Sequence, residues 1–285
     1  MVLTQGVFVG VSVAYVTFAD PDGLDDEKEV AVAAWAEEGI TGRIARWDDP
    51  GVDWAAFDAV VVRTPWDYVS RRAEFLAWAH RTEAVTRLFN PAAVLERNTD
   101  KVYLRDLDVP SIPTYWVAPG EAVDFPVLGE YVVKPSISAG ARDTIRTGDR
   151  KEAEAHAARL AAGGRTAMVQ PYLDMVETEG ETSLLYFGGR FSHAIRRNAM
   201  LVESATRPGR GNDHGEPRVP EPDQIALAER VLGEFPEVLY ARVDLVRLAD
   251  GSPALIEVEL TEPYLFLRYV PGAAATLARA LAEAL

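Results

Sequence analysis

Three carboxylates set into otherwise apolar strands are the residues of this sequence best placed to do chemistry. The stretch from Tyr240 to Leu267, YARVDLVRLADGSPALIEVELTEPYLFL, reads as two strands, Arg242 to Leu248 and Ala254 to Leu260. They are joined across Asp250-Gly251, a pair that favours a tight hairpin. Asp244 falls on the first strand, while Glu257 and Glu259, two apart, share one face of the second. Burying that much negative charge among Val, Leu and Ile is costly unless a cation neutralises it. Magnesium is the simplest such cation, because it takes one or two carboxylates together with phosphate oxygens. A solvated edge hairpin is the plain alternative.

A second group of residues is suited to holding an anion. Lys134 closes the apolar strand Tyr131-Val132-Val133-Lys134-Pro135, and Ser136-Ile137-Ser138-Ala139-Gly140-Ala141 follows. Small residues let backbone N–H groups approach a phosphate, and the lysine adds a charge beside it. The stretch is neither a Walker A sequence nor a GxGxxG, so on its own it is equally an ordinary turn. Gln170-Pro171-Tyr172 ends the strand Thr166 to Tyr172 with a break, as a hinge between two lobes would, and its exposed backbone could pair with a purine ring. Arg63-Thr64-Pro65-Trp66-Asp67-Tyr68 follows the strand Phe57 to Arg63. Ligands of open α/β sheets bind beyond the carboxyl ends of strands, so this turn is either a substrate contact or a plug for the core. Arg207 and Arg210, in the Gly- and Pro-rich run from Glu203 to Pro220, either close over an anion as part of a lid or are simply solvated.

The elements that must position these groups follow from periodicity and turn chemistry. Strands are expected at Val7 to Phe18, Arg43 to Trp47 and Phe57 to Arg63, with a helix over Asp25 to Glu38, a βαβ pattern that predicts a parallel sheet. Arg71 to Thr86 and Ala92 to Asp106 read as helices, the latter with Lys101 near its middle. Ile112 to Val117 is extended, Lys151 to Ala162 helical, and Thr182 to Phe187 with Arg190 to Arg197 a hairpin turned by Gly188-Gly189. Asp223 to Phe235 and Gly272 to Leu285 are the last two helices.

Composition narrows the chemistry. The chain of 285 residues carries a net charge of −15, which disfavours a nucleic-acid partner, and contains no cysteine, which removes disulfides, thiolate catalysis and cysteine-bound metal. His80, His156, His193 and His214 lack metal-ligand spacing, and no Gly-x-Ser-x-Gly elbow supports a serine hydrolase. The apolar start runs into Asp20-Pro21-Asp22-Gly23 without a basic leader, so it reads as a core strand rather than a signal peptide. With no other long apolar run, a cytoplasmic protein with no membrane partner is expected.

The order of these sites is more informative than any one of them. A βαβ lobe, then Lys101, VVKP at Lys134, QPY, Glu181, Arg242-Val243-Asp244 and Glu257-Val258-Glu259 resembles the ATP-grasp ligases from the first strand to the last hairpin. The resemblance implies an α/β protein of that fold: a parallel-sheet lobe over residues 1–91 and an ATP-grasp domain over 92–285. The latter divides into a small nucleotide-binding α+β lobe near 118–172 and a catalytic antiparallel-sheet lobe at 173–285. It implies ATP and two magnesium ions. Lys101 and Lys134 look like the phosphate-binding lysines, and Ser136 to Ala141, including Ser138 and Gly140, like the phosphate loop. Gln170, Pro171, Tyr172 and Leu173 resemble the adenine linker and Glu181 the ribose ligand. Asp244, Glu257 and Glu259 fall at the metal positions, where many members have Asn in place of Glu259, and Arg242 at the arginine facing the acyl phosphate. RTPWDY, SLLYFGGRFSHAIRR and IEVELTEPYLFL together look like the branch that contains the cycloserine-forming O-ureidoserine cyclo-ligase, though RTPW stands where that branch has RSTW.

The implied reaction is ADP-forming. ATP activates a small-molecule carboxylate as an acyl phosphate, and an amine, of the same molecule or another, then displaces phosphate to form a C–N bond. Lys101, Lys134 and Arg242 make up the catalytic set. Arg63, Thr64, Asp67, Glu262 and Tyr264 are assigned to the substrate, with Arg63, Asp67 and Glu262 on its charged groups, and Arg196 or Arg197 contacts phosphate at the same end. An intermolecular amide ligase and a nucleotide-binding protein without turnover are the alternatives.

Overall fold

The computed structural model describes residues 10–20, 23–198 and 215–285. Strands β1 (Ser12–Thr17), β2 (Thr41–Arg46), β3 (Ala59–Thr64) and β4 (Arg87–Phe89) form a parallel sheet in the order β2-β1-β3-β4. Helices α1 (Lys28–Glu37) and α2 (Arg72–Glu83) are the crossovers that parallel pairing needs. Every residue of β3 is buried, as befits a strand covered on both faces. One face meets Trp47, Phe75 and Trp78 around α2. The other meets α1 and the last helix, α7 (Ala273–Ala284), so the end of the chain returns to cover its beginning.

The segment expected as one helix from Ala92 to Asp106 is broken. Helix α3 (Ala92–Asn98) stops, Asp100 turns extended, and a 3-10 turn runs from Lys101 to Arg105. The Asp100 carboxylate accepts from the Val102 N–H at 3.3 Å and caps the new turn, the local competition that makes Asp a helix boundary rather than an interior residue. The break frees Lys101 from a helix surface. Its backbone N–H donates to the Ser136 carbonyl at 2.9 Å.

A second sheet is antiparallel, with β5 (Tyr115–Val117), β6 (Tyr131–Pro135), β7 (Ile145–Thr147) and β8 (Ala167–Pro171) in the order β5-β8-β6-β7. Tyr131, Val133 and Val169 point into a core against α4 (Arg150–Ala162), so the alternate residues Val132, Lys134 and Gln170 point the other way. Pro171 still pairs with Tyr131, and the break expected at Pro171 comes only after it.

The third sheet has the order β11-β10-β9-β12-β13, from β9 (Glu181–Phe187), β10 (Arg190–Arg197), β11 (Gly215–Arg218), β12 (Tyr240–Arg247) and β13 (Pro253–Glu259). The short helix α5 (Met175–Thr178) precedes it, and α6 (Pro222–Leu232) lies between β11 and β12. Part of the expected loop from Glu203 to Pro220 is therefore a strand, antiparallel to β10. Arg207, Arg210 and His214 lie outside the described residues. Strand β12 is buried at every position and pairs with strands on both sides, so the hairpin is not a solvated one. No helix among the described residues is long and apolar enough to cross a membrane.

Candidate functional site

A cavity of about 460 Å³ lies between the second and third sheets, within the size range of small-ligand sites. Its floor follows from strand alternation. Val243, Leu245 and Val258 enter the core, which leaves Arg242, Asp244, Glu257 and Glu259 on the opposite face. Register pairs Arg242 with Glu259 and Asp244 with Glu257. Asp244, 1% exposed, is bracketed by donors: Ser183 Oγ at 2.7 Å, Arg242 Nε at 2.9 Å and Arg197 Nη1 at 3.1 Å. Arg242 also donates to Glu259.

The carboxylate oxygens of Asp244, Glu257 and Glu259 all lie within 4.8 Å of one another. An oxygen-only donor set fits a hard divalent cation. Glu257 Oε2 is buried with the Lys101 ammonium as its neighbour, 3.3 Å away, so an ion held there would share that oxygen with the lysine. The two glutamates are held in opposite directions. Burial drives the Glu259 carboxyl above the usual carboxylate range against the pull of Arg242, and the neighbouring Glu257 and Asp244 add to the rise. Burial pushes Glu257 the same way, but Lys101 and Lys134 outweigh it and hold that carboxyl low.

The cationic wall comes from two elements. Lys101 Nζ donates to the Ser138 carbonyl at 2.9 Å and sits 3.3 Å from Glu257, so the broken helix ties the small-residue loop to the acidic floor. Lys134 projects from β6 into the cavity, where burial lowers its pKa. Ala141 and Asp143 adopt positive φ, the backbone reversal that brings Arg142 to the cavity wall. Gln170, Pro171, Tyr172 and Leu173 line one end, with Gln170 Nε2 anchored on Thr114 Oγ1 at 2.8 Å and the Tyr172 ring under the Arg146 guanidinium. Glu181 opens β9 beside Arg197, 3.7 Å away.

The structure thus brings Lys101, Lys134, Ser138, Gly140, Gln170 to Leu173, Glu181, Arg197, Arg242, Glu257, Glu259, Glu262 and Tyr264 to one cavity, with Asp244 beneath. It holds other expected residues elsewhere. Ser136 is buried in the turn below the loop. Arg63 is wholly buried and donates to the Pro263 carbonyl. Thr64 bonds Asp25 and Thr17, and Asp67 accepts from Trp47 and Arg71. Arg196 points to the far face of β10 and donates to the carbonyls of Thr178 and Glu179. Trp66 and Tyr68, of the turn read as a substrate contact or a core plug, line the cavity although its polar residues were the ones singled out, and Asn98, Tyr103 and Arg142 line it without having been anticipated. For the first two the signal was present, since RTPWDY carries two large aromatics at a strand's carboxyl end. The Glu262 carboxyl, beside the Tyr68 phenol, is pushed up to about 7, chiefly by burial.

Comparison with known proteins agrees with this geometry. A family model for the N-terminal domain of D-cycloserine synthetase DcsG matches residues 13–90. The cycloserine biosynthesis protein DcsG of Streptomyces lavendulae is 40% identical over 294 residues, covering 95% of this chain and 98% of that protein. A crystal structure of D-cycloserine synthetase DcsG superposes with a TM-score of 0.89 at 39% identity, over 96% of this chain and 99% of that one. A RimK-domain ATP-grasp protein of Sphaerobacter thermophilus shares the fold at 20% identity and a TM-score of 0.66, over 96% of this chain and 98% of that one. A D-alanine–D-alanine ligase of Bacillus anthracis does so at 14% and 0.65, over 96% and 97%. With the lysines, the acidic floor and the linker all at one cavity, and with identity running along nearly the whole sequence, the chain belongs to the DcsG family of cycloserine synthetases, built on the ATP-grasp fold.

Proposed function

We propose that this protein is an ADP-forming cyclo-ligase that activates the carboxylate of an amino-acid substrate with ATP and closes a ring onto a nitrogen of the same molecule. The observation that carries the reading is the meeting of Lys101, Lys134 and Arg242 with the Asp244, Glu257 and Glu259 carboxylates at one cavity, in a chain 40% identical to a cycloserine biosynthesis protein. Magnesium held by the three carboxylates would neutralise charge on the phosphates of bound ATP.

The chain's own residues do the rest. Gln170 to Leu173 bind the base and Glu181 the ribose, while Lys101, Lys134, Arg142 and the backbone around Ser138 and Gly140 hold the phosphates. A substrate carboxylate oxygen bonds the γ-phosphorus as the bond to ADP breaks. The nitrogen then attacks the acyl carbon, losing its proton as phosphate leaves. Arg242 faces the oxyanion between these steps. Glu262, Tyr264, Trp66 and Tyr68 form the substrate end and keep the molecule folded, so that ring closure benefits from intramolecular effective molarity.

The test is incubation of purified protein with ATP, magnesium and O-ureidoserine, reading ADP, phosphate and cyclised product together. Release of phosphate with no second amine present is expected. Product that appears only on adding a separate amine would overturn ring closure in favour of an intermolecular ligase.

A further inference from the structure

The N-terminal lobe supplies two buried charges that no step of this reaction uses, Glu27 at the start of α1 and Arg63 on β3. Glu27 and Arg63 are each 0% exposed, yet their approach is loose, at 3.5 Å. Both are directed at one backbone segment more than 190 residues further along. Glu27 accepts from the N–H groups of Leu265 at 2.9 Å and Leu267 at 2.7 Å. Arg63 Nη2 donates to the Pro263 carbonyl at 2.9 Å, and the guanidinium lies 4.7 Å from the centre of the Tyr240 ring.

Neighbouring groups complete the hold. Trp66 Nε1 donates to the Glu262 carbonyl at 3.1 Å, and Arg242 Nη1 to the Tyr264 carbonyl at 3.2 Å. Each residue from 262 to 265 is therefore fixed through its backbone. Phe266, between the two clamped amides, has φ +55°, a conformation rare for an aromatic residue and kept only where the surroundings impose it.

Stability alone does not account for this arrangement. A buried ion pair is often no better than apolar packing of the same volume. Arg63 Nε and Nη1 are moreover buried without hydrogen-bond partners, a further cost. What the arrangement does achieve is orientation. With the carbonyls of 262, 263 and 264 tied back, the side chains of Glu262 and Tyr264 stand in the cavity wall with Trp66, Tyr68, Arg242 and Glu259.

We infer that Glu27 and Arg63 are positioning residues for the amino-acid substrate: through the backbone of residues 262–267 they aim the Glu262 carboxylate at the substrate's ammonium group and seat Tyr264 beside it. The inference rests on the ring-closing reading above. It makes the parallel-sheet lobe part of the substrate cradle even though neither charge touches substrate.

Two substitutions test it. Glu27→Gln exchanges one acceptor oxygen for an NH2 group that confronts a backbone N–H, and Arg63→Lys removes the planar fork. With O-ureidoserine as the varied substrate, kcat/KM is expected to fall about 10- to 100-fold, mostly through KM, while KM for ATP stays within about twofold. Amide hydrogen exchange at Leu265 and Leu267 should accelerate in the same variants. A lowered Tm with both KM values unchanged overturns the inference, as does an equal rise in both. If either variant fails to fold, Glu27→Asp, which keeps the charge but draws the carboxylate back from the Leu265 and Leu267 amides, takes its place, and an unchanged KM for the amino acid there also overturns it. If the unaltered protein turns over no amino-acid substrate, the ring-closing reading is what fails. In that case the exchange measurement alone decides the clamp, and unchanged protection at Leu265 and Leu267 overturns it.

Discussion

A metal ion held by Asp244, Glu257 and Glu259 would compete with Arg242 for the same oxygens. The guanidinium grips Asp244 through Nε and Nη2 and reaches Glu259 as well, so a cation entering the cluster must take over part of what the arginine now satisfies. Arg242→Met leaves three crowded carboxylates with less positive charge, and breaking such a buried pair costs about 3–5 kcal/mol. The variant should melt lower than the unaltered protein, and added magnesium should raise its Tm by more. Equal magnesium shifts in the two proteins would count against a shared site. Glu257→Gln removes the carboxylate nearest Lys101 while keeping its shape. It should lower ADP release about 100-fold or more, checked by a coupled assay across a magnesium titration. At this scale the acidic floor was legible because the two-residue period of a strand decides which side chains share a face, and Asp244, Glu257 and Glu259 obey it. The choice between Arg196 and Arg197 was not, because the register of β10 slips between Phe191 and His193, and that slip decides which arginine faces the cavity. The turn after β3 was only half legible: polar Arg63, Thr64 and Asp67 drew attention where the aromatic residues Trp66 and Tyr68 are the ones that reach the cavity.

Elements meet the site at their ends, and the junction of α5 with β9 is a tight one. Gly180 has φ +81°, and a Cβ there would meet the Arg197 carbonyl at 2.5 Å. Gly180→Ala must therefore push apart the start of β9 and the end of β10, the two places that carry Glu181 and Arg197. The expected outcome is a rise of about tenfold in KM for ATP with a smaller change in KM for the amino acid. Steady-state kinetics with each substrate varied in turn would show it, and an unchanged KM for ATP would refute the account. Boundaries of this kind were the poorly legible part of the secondary structure. The apolar spacing from Ala92 to Asp106 runs on through Thr99-Asp100, so periodicity alone merges two elements, and only the Asp100 cap reveals the break that turns Lys101 toward Ser138. Strand β11 was hidden for the opposite reason, since Gly-Glu-Pro-Arg has no apolar alternation. As an edge strand it tolerates the proline, which could not sit inside the sheet.

The molecule as a whole is sealed by its C-terminal segment. Residues Leu265 to Leu267 and α7 complete the core over the parallel sheet, and His193 is buried at that seam. The Leu265 carbonyl can only accept, so His193 Nε2 donates to it at 3.0 Å while Nδ1 takes the Ser192 hydroxyl at 2.9 Å. Both nitrogens are satisfied by the neutral ring, and burial lowers the pKa from 6.5 to about 4. The unfolded chain binds the proton first as pH falls, so this contribution to stability is complete above about pH 6.5 and is lost toward pH 4, to the extent of about 3 kcal/mol. His193→Gln, which keeps a donor but does not titrate, should flatten the fall in urea midpoint between pH 7 and pH 4.5. Identical slopes would show that other groups govern it. Which distant elements cover one another is the part of the fold that the sequence conceals most. The amphipathic pattern of residues 272–285 announces a helix with an apolar face, but nothing local says that the face lies on α1.

The Glu27 contacts also impose an order in time. The residues that donate to it follow it by some 240 positions, and contacts so distant in sequence close late because the loop between them must first be organised. During synthesis the parallel sheet can assemble while residues 261–267 are still to be made, which leaves the Glu27 carboxylate without its amide partners. On the proposed reading the ATP side of the cavity is complete once β13 pairs, and the substrate side only when the following residues dock. A nascent or partly unfolded chain is thus expected to acquire nucleotide binding before it acquires the ability to close a ring.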